Sequence, residues 1–298
     1  VQPVGDINKW ETDPFNPEII NGRLFGRGSG DNKAGVVIHH EVVKELMKDL
    51  PLNIKIFIEG EEEIGSPCMA EFLDEFNKEL EADVIVIADS GNIRIGTPTV
   101  TTSLRGLVDG FIEVDQPMRP VHSGVGGGVV PDAFMVLSKI IASFHNEKGE
   151  LQIEGLTSSD MDVLELKEEE IKKIFGSEDI NLFELDSISK RLWLEPALSI
   201  LAIDAPSTKE AVNLVIPNAK AKVSLRLPPT EDPEHAMKML EEHIMKNVPW
   251  GANVRFIPEA KGSGIVADPN KEFTKKLVQN FEEVFNTDAA YMGVGGSI

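Results

Sequence analysis

The sequence contains a single cysteine, Cys68, in 298 residues. That excludes internal disulfides and thiolate metal clusters, and it fits a reducing, cytoplasmic location. Positive charge is also scarce. Lys and Arg number 29 against 50 Asp and Glu, a formal net charge of −21. No run of Lys or Arg interrupts the acid, and a polyanion repels phosphate backbones, so nucleic-acid partners are disfavoured. No apolar stretch approaches the roughly 18 to 20 residues needed to span a bilayer, so no membrane partner is expected. There is no internal repeat and no low-complexity tract. Any bound metal must be held by oxygen and imidazole ligands. The length makes two domains the default expectation. The chain begins at Val1 and ends at Ile298 after Gly-Gly-Ser, and the expectation is a fragment of a longer protein.

What is present is an alternation of strand and helix patterns. LFGRGSGDNKAG (24–35) is a Gly-rich turn opening a helix to about Leu50, with Val36, Val37, Val42, Val43, Leu46 and Met47 as its apolar positions. NIKIFIEG comes next as a strand pattern with Ile54, Ile56 and Ile58 alternating, then an acidic cluster. Met69 to Leu80 reads as an amphipathic helix. DVIVIADS is a continuous apolar run, the mark of a strand covered on both faces. This order predicts an open α/β sheet. After Pro98 the character changes. GLVDGFIEV is a longer alternating strand, followed by a Gly-rich loop and a helix through Phe134 to Phe144. The charge-rich stretch from Asn146 to about Leu194 reads as a helical insertion. ALSILAID, AKAKVSLRL and ANVRFIP are strand patterns, with a helix from Pro233 to Met245 among them, and the chain closes on an amphipathic helix in DPNKEFTKKLVQNFEEVF. The expected organisation is a discontinuous α/β domain (1–103 and 261–298) holding an inserted α+β domain (104–260).

Carboxylates stand out by position. Asp31 lies in the Gly-rich turn, Glu61, Glu62 and Glu63 come directly after a predicted strand, and Asp89 ends another. Ligands of open α/β sheets bind beyond the carboxyl ends of the strands, where such groups converge. Clustered carboxylates repel one another, a cost that a divalent cation relieves. Adjacent glutamates at a strand end also suit a division of labour, one binding metal and its neighbour activating water. Taken singly, each is more often a solvated loop residue.

Other chemistries fail on inspection. GRGSGD lacks the third glycine of a dinucleotide fingerprint, DNK lacks the glycine before the lysine of a P-loop, and no serine sits in GxSxG. HHEVVKE carries Lys44 where HExxH requires histidine, and the adjacent His39 and His40 point about 100° apart on a helix. His145, His235 and His243 have no recognisable partner.

The segments WETDPFNPEIINGRLFGRGSGDNKAG, EGEEEIGS, ADS, RGLVDGFIEV with VHSGVGGG, SLRLPP and GVGGSI, in that order, resemble the M20 metallopeptidases. These are the co-catalytic zinc dipeptidases, carboxypeptidases and N-acyl-amino-acid deacylases. The resemblance implies an open-sheet catalytic domain of zinc-peptidase type with an inserted, ferredoxin-like lid that also dimerises. It implies metal ligation by Asp31 (bridging), Glu63 and Asp89, with Glu62 as the general base. By the same resemblance His122 stabilises the oxyanion across a homodimer, Arg226 clamps the substrate carboxylate, and Gly295, Gly296 and Ser297 line the pocket. Asn213 is matched more loosely, because Leu214 stands where Asn or Thr often precedes Val-Ile-Pro.

The departures matter as much. The family's first histidine ligand belongs to an HxD motif preceding Val-x-Pro, and Val1-Gln2-Pro3 matches the Val-x-Pro alone, without the histidine. The last histidine ligand lies beyond GGSIP. Both imidazoles are missing from this chain, so metal binding here is expected to be weak or absent. In the full-length parent the resemblance implies two divalent ions, zinc with manganese or cobalt as alternatives, and hydrolysis of an amide bond in dipeptides or C-terminal amino-acid substrates. The alternatives are an N-acyl-amino-acid deacylase of desuccinylase or deacetylase type, and a non-catalytic scaffold of the same fold. The long 145–197 insertion favours the dipeptidase branch.

Overall fold

A computed structural model describes residues 1–89 and 91–296. The chain divides into two compact units, Val1–Gly91 and Asn92–Ile298.

The first unit contains an antiparallel hairpin, β1 (Glu18–Ile20) with β2 (Arg23–Phe25), and two helices, α1 (Lys33–Leu46) and α2 (Met69–Leu80). Asn32 starts α1 by accepting a hydrogen bond from Gly35 N (2.9 Å), which satisfies a helix-end donor that would otherwise be orphaned. Gly35 must lack a Cβ, because one built there would lie 2.4 Å from the Ala88 carbonyl. The bounds of α2 match those predicted. The two apolar strand patterns do not behave as expected. Neither 53–60 nor 83–89 enters a β-ladder among the described residues. Ile85, Val86 and Ile87 are 79, 65 and 66% exposed, which corrects the reading of DVIVIADS as a strand covered on both faces. Local sequence supplies the apolar run, but a strand also needs a neighbour's hydrogen bonds, which no local pattern encodes.

The second unit is built on two sheets. The smaller joins β3 (Thr99–Leu104) to β11 (Ala290–Val294) in parallel and to β10 (Ile265–Val266) antiparallel. The larger is antiparallel, in the order β6-β8-β4-β9, from β4 (Gly106–Asp115), β6 (Ala197–Asp204), β8 (Asn218–Leu227) and β9 (Val254–Gly262). A short pair, β5 (Val121–His122) with β7 (Leu214–Val215), precedes and receives α3 (Ser123–Gly126). The remaining helices are α4 (Ala133–Ala142), α5 (Glu168–Ile174), α6 (Ile188–Trp193), α7 (Pro233–Lys246) and α8 (Glu272–Phe285).

Alternation decides which face of the large sheet is covered. Val108, Ile112 and Val114 of β4 and Val223, Leu225 and Leu227 of β8 pack with Val136, Leu137 and Ile140 of α4 and Leu240 and Ile244 of α7, giving one apolar core. The opposite face is charged, with Glu113 bridging Lys220 and Arg255, and Lys222 paired with Glu259. Both helices are sharply started. Asp132 caps α4 through Phe134 N and Met135 N, and Asp232 caps α7 ahead of Pro233 at its first position. Since β4 lies between β8 and β9, RGLVDGFIEV offers no open edge; the edge strands of this sheet are β6, where Leu201 and Ile203 are exposed, and β9.

The charge-rich insertion is far less helical than its composition suggests. Only α5 and α6 form, of 7 and 6 residues. The rest is irregular but anchored. Trp193, Leu194, Leu166 and Ile171 cluster with Met292 of β11, and Leu164 N donates to Tyr291 O (2.9 Å). The Glu231 carboxylate accepts from Thr157 N (3.1 Å) and Oγ1 (2.9 Å). Long-range apolar contacts, rather than an i, i+4 stripe, organise this stretch.

One histidine of this unit, His243, is buried. His243 stacks on Phe144 (centroids 5.2 Å apart) and meets Ser143 Oγ at 3.0 Å. Burial pushes its pKa below the ordinary histidine value; His145 is exposed, and partial desolvation together with the nearby Arg191 lowers it as well. An unfolded chain therefore takes up protons, at pKa about 6.5, that the folded unit refuses. The stability from this source is present above that pH and is lost as pH falls below it. A melting temperature followed from pH 7.5 to 5.5 should drop by several degrees, and less steeply in His243→Gln. A flat profile in the unmodified chain would remove histidine burial as the cause.

Candidate functional site

The predicted site residues fall into a carboxylate group in the first unit and a binding group in the second. Glu62 and Glu63 sit in a single 3₁₀ turn, Glu62–Ile64, closed by Gly65 in the left-handed region (φ 83°). Ile64 N and Ser66 N both donate to Glu61 O (3.0 Å each), and Gly65 N donates to Glu62 O (2.9 Å), so the glutamates occupy a tightly hydrogen-bonded loop. Ser66 Oγ donates to Glu59 (2.5 Å) and ties the loop to the preceding segment.

Glu62 is exposed, yet the desolvation it does suffer is the largest influence on its carboxyl, ahead of the charges of Glu63, Asp89, Glu59 and Asp31. All push its pKa above the ordinary carboxylate value, because ionising Glu62 adds a further negative charge among four others. The same interactions place Asp31 and Asp89 within electrostatic reach of Glu62.

Two polar contacts here were not expected from sequence. Asn32 Nδ2 donates to Asp89 Oδ1 and to Ala88 O (2.5 Å each), while its Oδ1 caps α1, so one amide fixes Asp89 against the start of that helix. The signal was available: Asn ahead of an apolar-periodic run is an N-cap. Gln2 Nε2 donates to Glu63, a contact no local pattern announces.

In chemistry, these hard oxygen donors suit a divalent cation. In placement they do not fit one. Among the described residues no three His, Cys, Asp or Glu side chains stand close enough together to hold a metal ion.

In the second unit His122 and Asn213 are brought together. His122 pairs with Leu214 across β5-β7, and Ser123 N donates to Asn213 O (2.8 Å). His122 is exposed and caps α3, its Nδ1 accepting from Gly124 N at 3.1 Å. An Nδ1 that accepts an amide hydrogen puts the imidazole proton on Nε2, which leaves Nε2–H as the outward donor. Arg226 is half-buried on the charged face of the large sheet, opposite Leu107 and Ala197. Gly295 and Gly296 are exposed and lie immediately after β11; Ser297 lies outside the described residues. Among the described residues no helix is long and apolar enough to cross a membrane.

Comparison with known proteins settles the lineage. The description Peptidase family M20/M25/M40 matches residues 1–297. The chain belongs to this family. Among similar M20 proteins, the cysteinylglycine-S-conjugate dipeptidase of Corynebacterium striatum is 32% identical over 307 residues, covering 100% of this chain and 67% of the relative. The Beta-Ala-His dipeptidase of Mus musculus is 30% identical, covering 82% of this chain and 53% of the relative. An M20 family metallo-carboxypeptidase from Sulfolobus solfataricus aligns in structure with a TM-score of 0.80 and 26% identity, over 100% of this chain and 70% of that one. The chain thus spans about half to two thirds of the length of these curated relatives. Its mixed α/β fold is that of M20 peptidases.

Proposed function

We propose that the full-length protein hydrolyses the amide bond of dipeptides or of C-terminal amino-acid substrates, as a metal-dependent M20 hydrolase. The observation that carries this reading is the Glu62-Glu63 pair on its closed turn, with Asp31 and Asp89 in electrostatic reach of Glu62. A fold maintained only as a scaffold has no need to keep the charges of Glu63, Asp89 and Asp31 within reach of Glu62. The names of the two dipeptidase relatives support small peptides as the substrate class.

In this reading Glu62 takes a proton from the attacking water and returns it to the leaving amine. The Nε2–H of His122 donates to the developing oxyanion, and Arg226 receives the substrate carboxylate in a bidentate pair. Asn213, Gly295, Gly296 and Ser297 line the bound substrate. Metal dependence comes with the family, which assigns Asp31, Glu63 and Asp89 to two ions, zinc or alternatively manganese or cobalt. The catalytic domain comprises 1–103 and 261–298, and the ferredoxin-like lid 104–260. The lid joins two copies in a homodimer; of the two edge strands, β6 and β9, β6 exposes Leu201 and Ile203.

A panel of dipeptides and N-acyl amino acids, offered to the full-length protein with zinc, manganese or cobalt, tests the assignment. Turnover of dipeptides well above that of N-acetyl and N-succinyl amino acids is the expected result. Preference for the acylated set would make it a deacylase, and no turnover of either would favour the scaffold.

A further inference from the structure

Asn21-Gly22 is the one Asn-Gly pair in the chain. It forms the two-residue tip of the β1-β2 hairpin, where Ile20 stands opposite Arg23. Both residues are exposed and both have positive φ, 51° and 76°, as a tight turn of this hand requires. The ladder ends on Ile20 and Arg23, and among the described residues Gly22 N makes no hydrogen bond. Its surroundings are open too, since a Cβ built on Gly22 would meet nothing within 4 Å. The hairpin is a two-stranded sheet of its own with every strand residue exposed. Such a ribbon is only marginally stable, so its tip opens at little cost.

The one Asp-Gly pair, Asp109-Gly110, has the atoms for the same ring chemistry and is placed to resist it. Gly110 is buried in the middle of β4, opposite Val223 of β8 and Pro258 of β9. A Cβ built there would lie 2.4 Å from the Phe256 ring, so the backbone has no room to bend.

We propose that Asn21-Gly22 is a site of spontaneous covalent modification, with water as the reagent. Gly22 N loses its proton to hydroxide and attacks Asn21 Cγ, unshielded because glycine has no side chain. A C–N bond forms and closes a succinimide ring. The side-chain nitrogen leaves as ammonia, taking a proton from water. Water then opens the ring at either carbonyl. Cleavage at the side-chain carbonyl gives aspartate. Cleavage at the backbone carbonyl gives isoaspartate, with the main chain rerouted through the β-carbon. Both products add a negative charge. Isoaspartate also lengthens the main chain, which the Ile20-Arg23 register cannot absorb. β2 runs into the Gly-rich turn that carries Asp31, so the lesion lies just upstream of the candidate site without belonging to it.

The test is to age the full-length protein in mildly alkaline buffer, native and in urea, and to map its peptides by mass spectrometry. In native protein Asn21 should lose its amide at a rate within about tenfold of that in urea, because the tip opens readily. Electron-transfer fragmentation should find isoaspartate among the products. Asp109-Gly110 should isomerise in urea and stay intact in native protein. An Asn21 amide that persists in native protein while it is lost in urea overturns the proposal, and so does one that persists in both. Isomerisation of Asp109-Gly110 at the same rate in the two states would overturn it as well, since the fold would then not decide which pair reacts.

Discussion

In the full-length protein Glu62→Gln should lower kcat by roughly 10² or more while bound metal stays at its original level. The amide preserves size and hydrogen bonding around the turn but cannot accept a proton at neutral pH. Glu63→Gln should do the reverse first: metal content, read by mass spectrometry of the purified protein, falls, and activity falls with it. The two residues are neighbours on one 3₁₀ turn, so a merely structural disturbance would affect both variants alike. Turnover near the original level in Glu62→Gln would take the base assignment away from that residue.

A comparably large effect is expected from mixing two dead proteins. His122→Ala and Glu62→Gln should each be nearly inactive as homodimers. If His122 acts in the partner's site, a mixed dimer contains one site with both groups intact. Random exchange of subunits should then recover about a quarter of the original activity. Verified mixed dimers that stay inactive would place His122 in its own chain's chemistry or outside the chemistry altogether. So would a fully active monomer at low concentration. The hydrogen bond from Gly124 N makes the donor role specific, because with Nδ1 accepting, Nε2 is the nitrogen left to donate.

Where local rules sufficed, the sequence was readable. Asp232 followed by Pro233 and a periodic apolar face gave α7, and alternation gave β4 and β8. Alternation says that one face of a strand is buried and nothing about its neighbours, which is why β4 reads equally well as edge or centre. The same limit applies to 53–60 and 83–89, whose patterns are present without ladders. The insertion misled for another reason. Its charged residues are good helix formers, but Trp193, Leu194 and Met292 determine its path through contacts about a hundred residues apart in sequence. The carboxylates of the candidate site were legible by position in the chain. Their spacing was not, since it depends on side chains such as Asn32 and Gln2 that hold Asp89 and Glu63 in particular directions.

The parallel pairing of β3 with β11 has a consequence for the order in which the second unit can be assembled. Val100 lies beside Tyr291, whereas β4, β6, β8 and β9 complete their sheet by Gly262. During synthesis from the N-terminus, the large sheet and its two helices can therefore close before the last strand exists. β3 must wait, with one edge unfilled until Ala290 to Val294 arrive. The loop that this pairing closes is the longest of any ladder among the described residues of the unit, and its entropy must be met before the contact rewards it. The waiting interval is when the chain is most open to pairing with the wrong strand, its own or another's. Slow translation or a chaperone acting between Gly262 and Ala290 should therefore change the yield of folded protein more than one acting earlier.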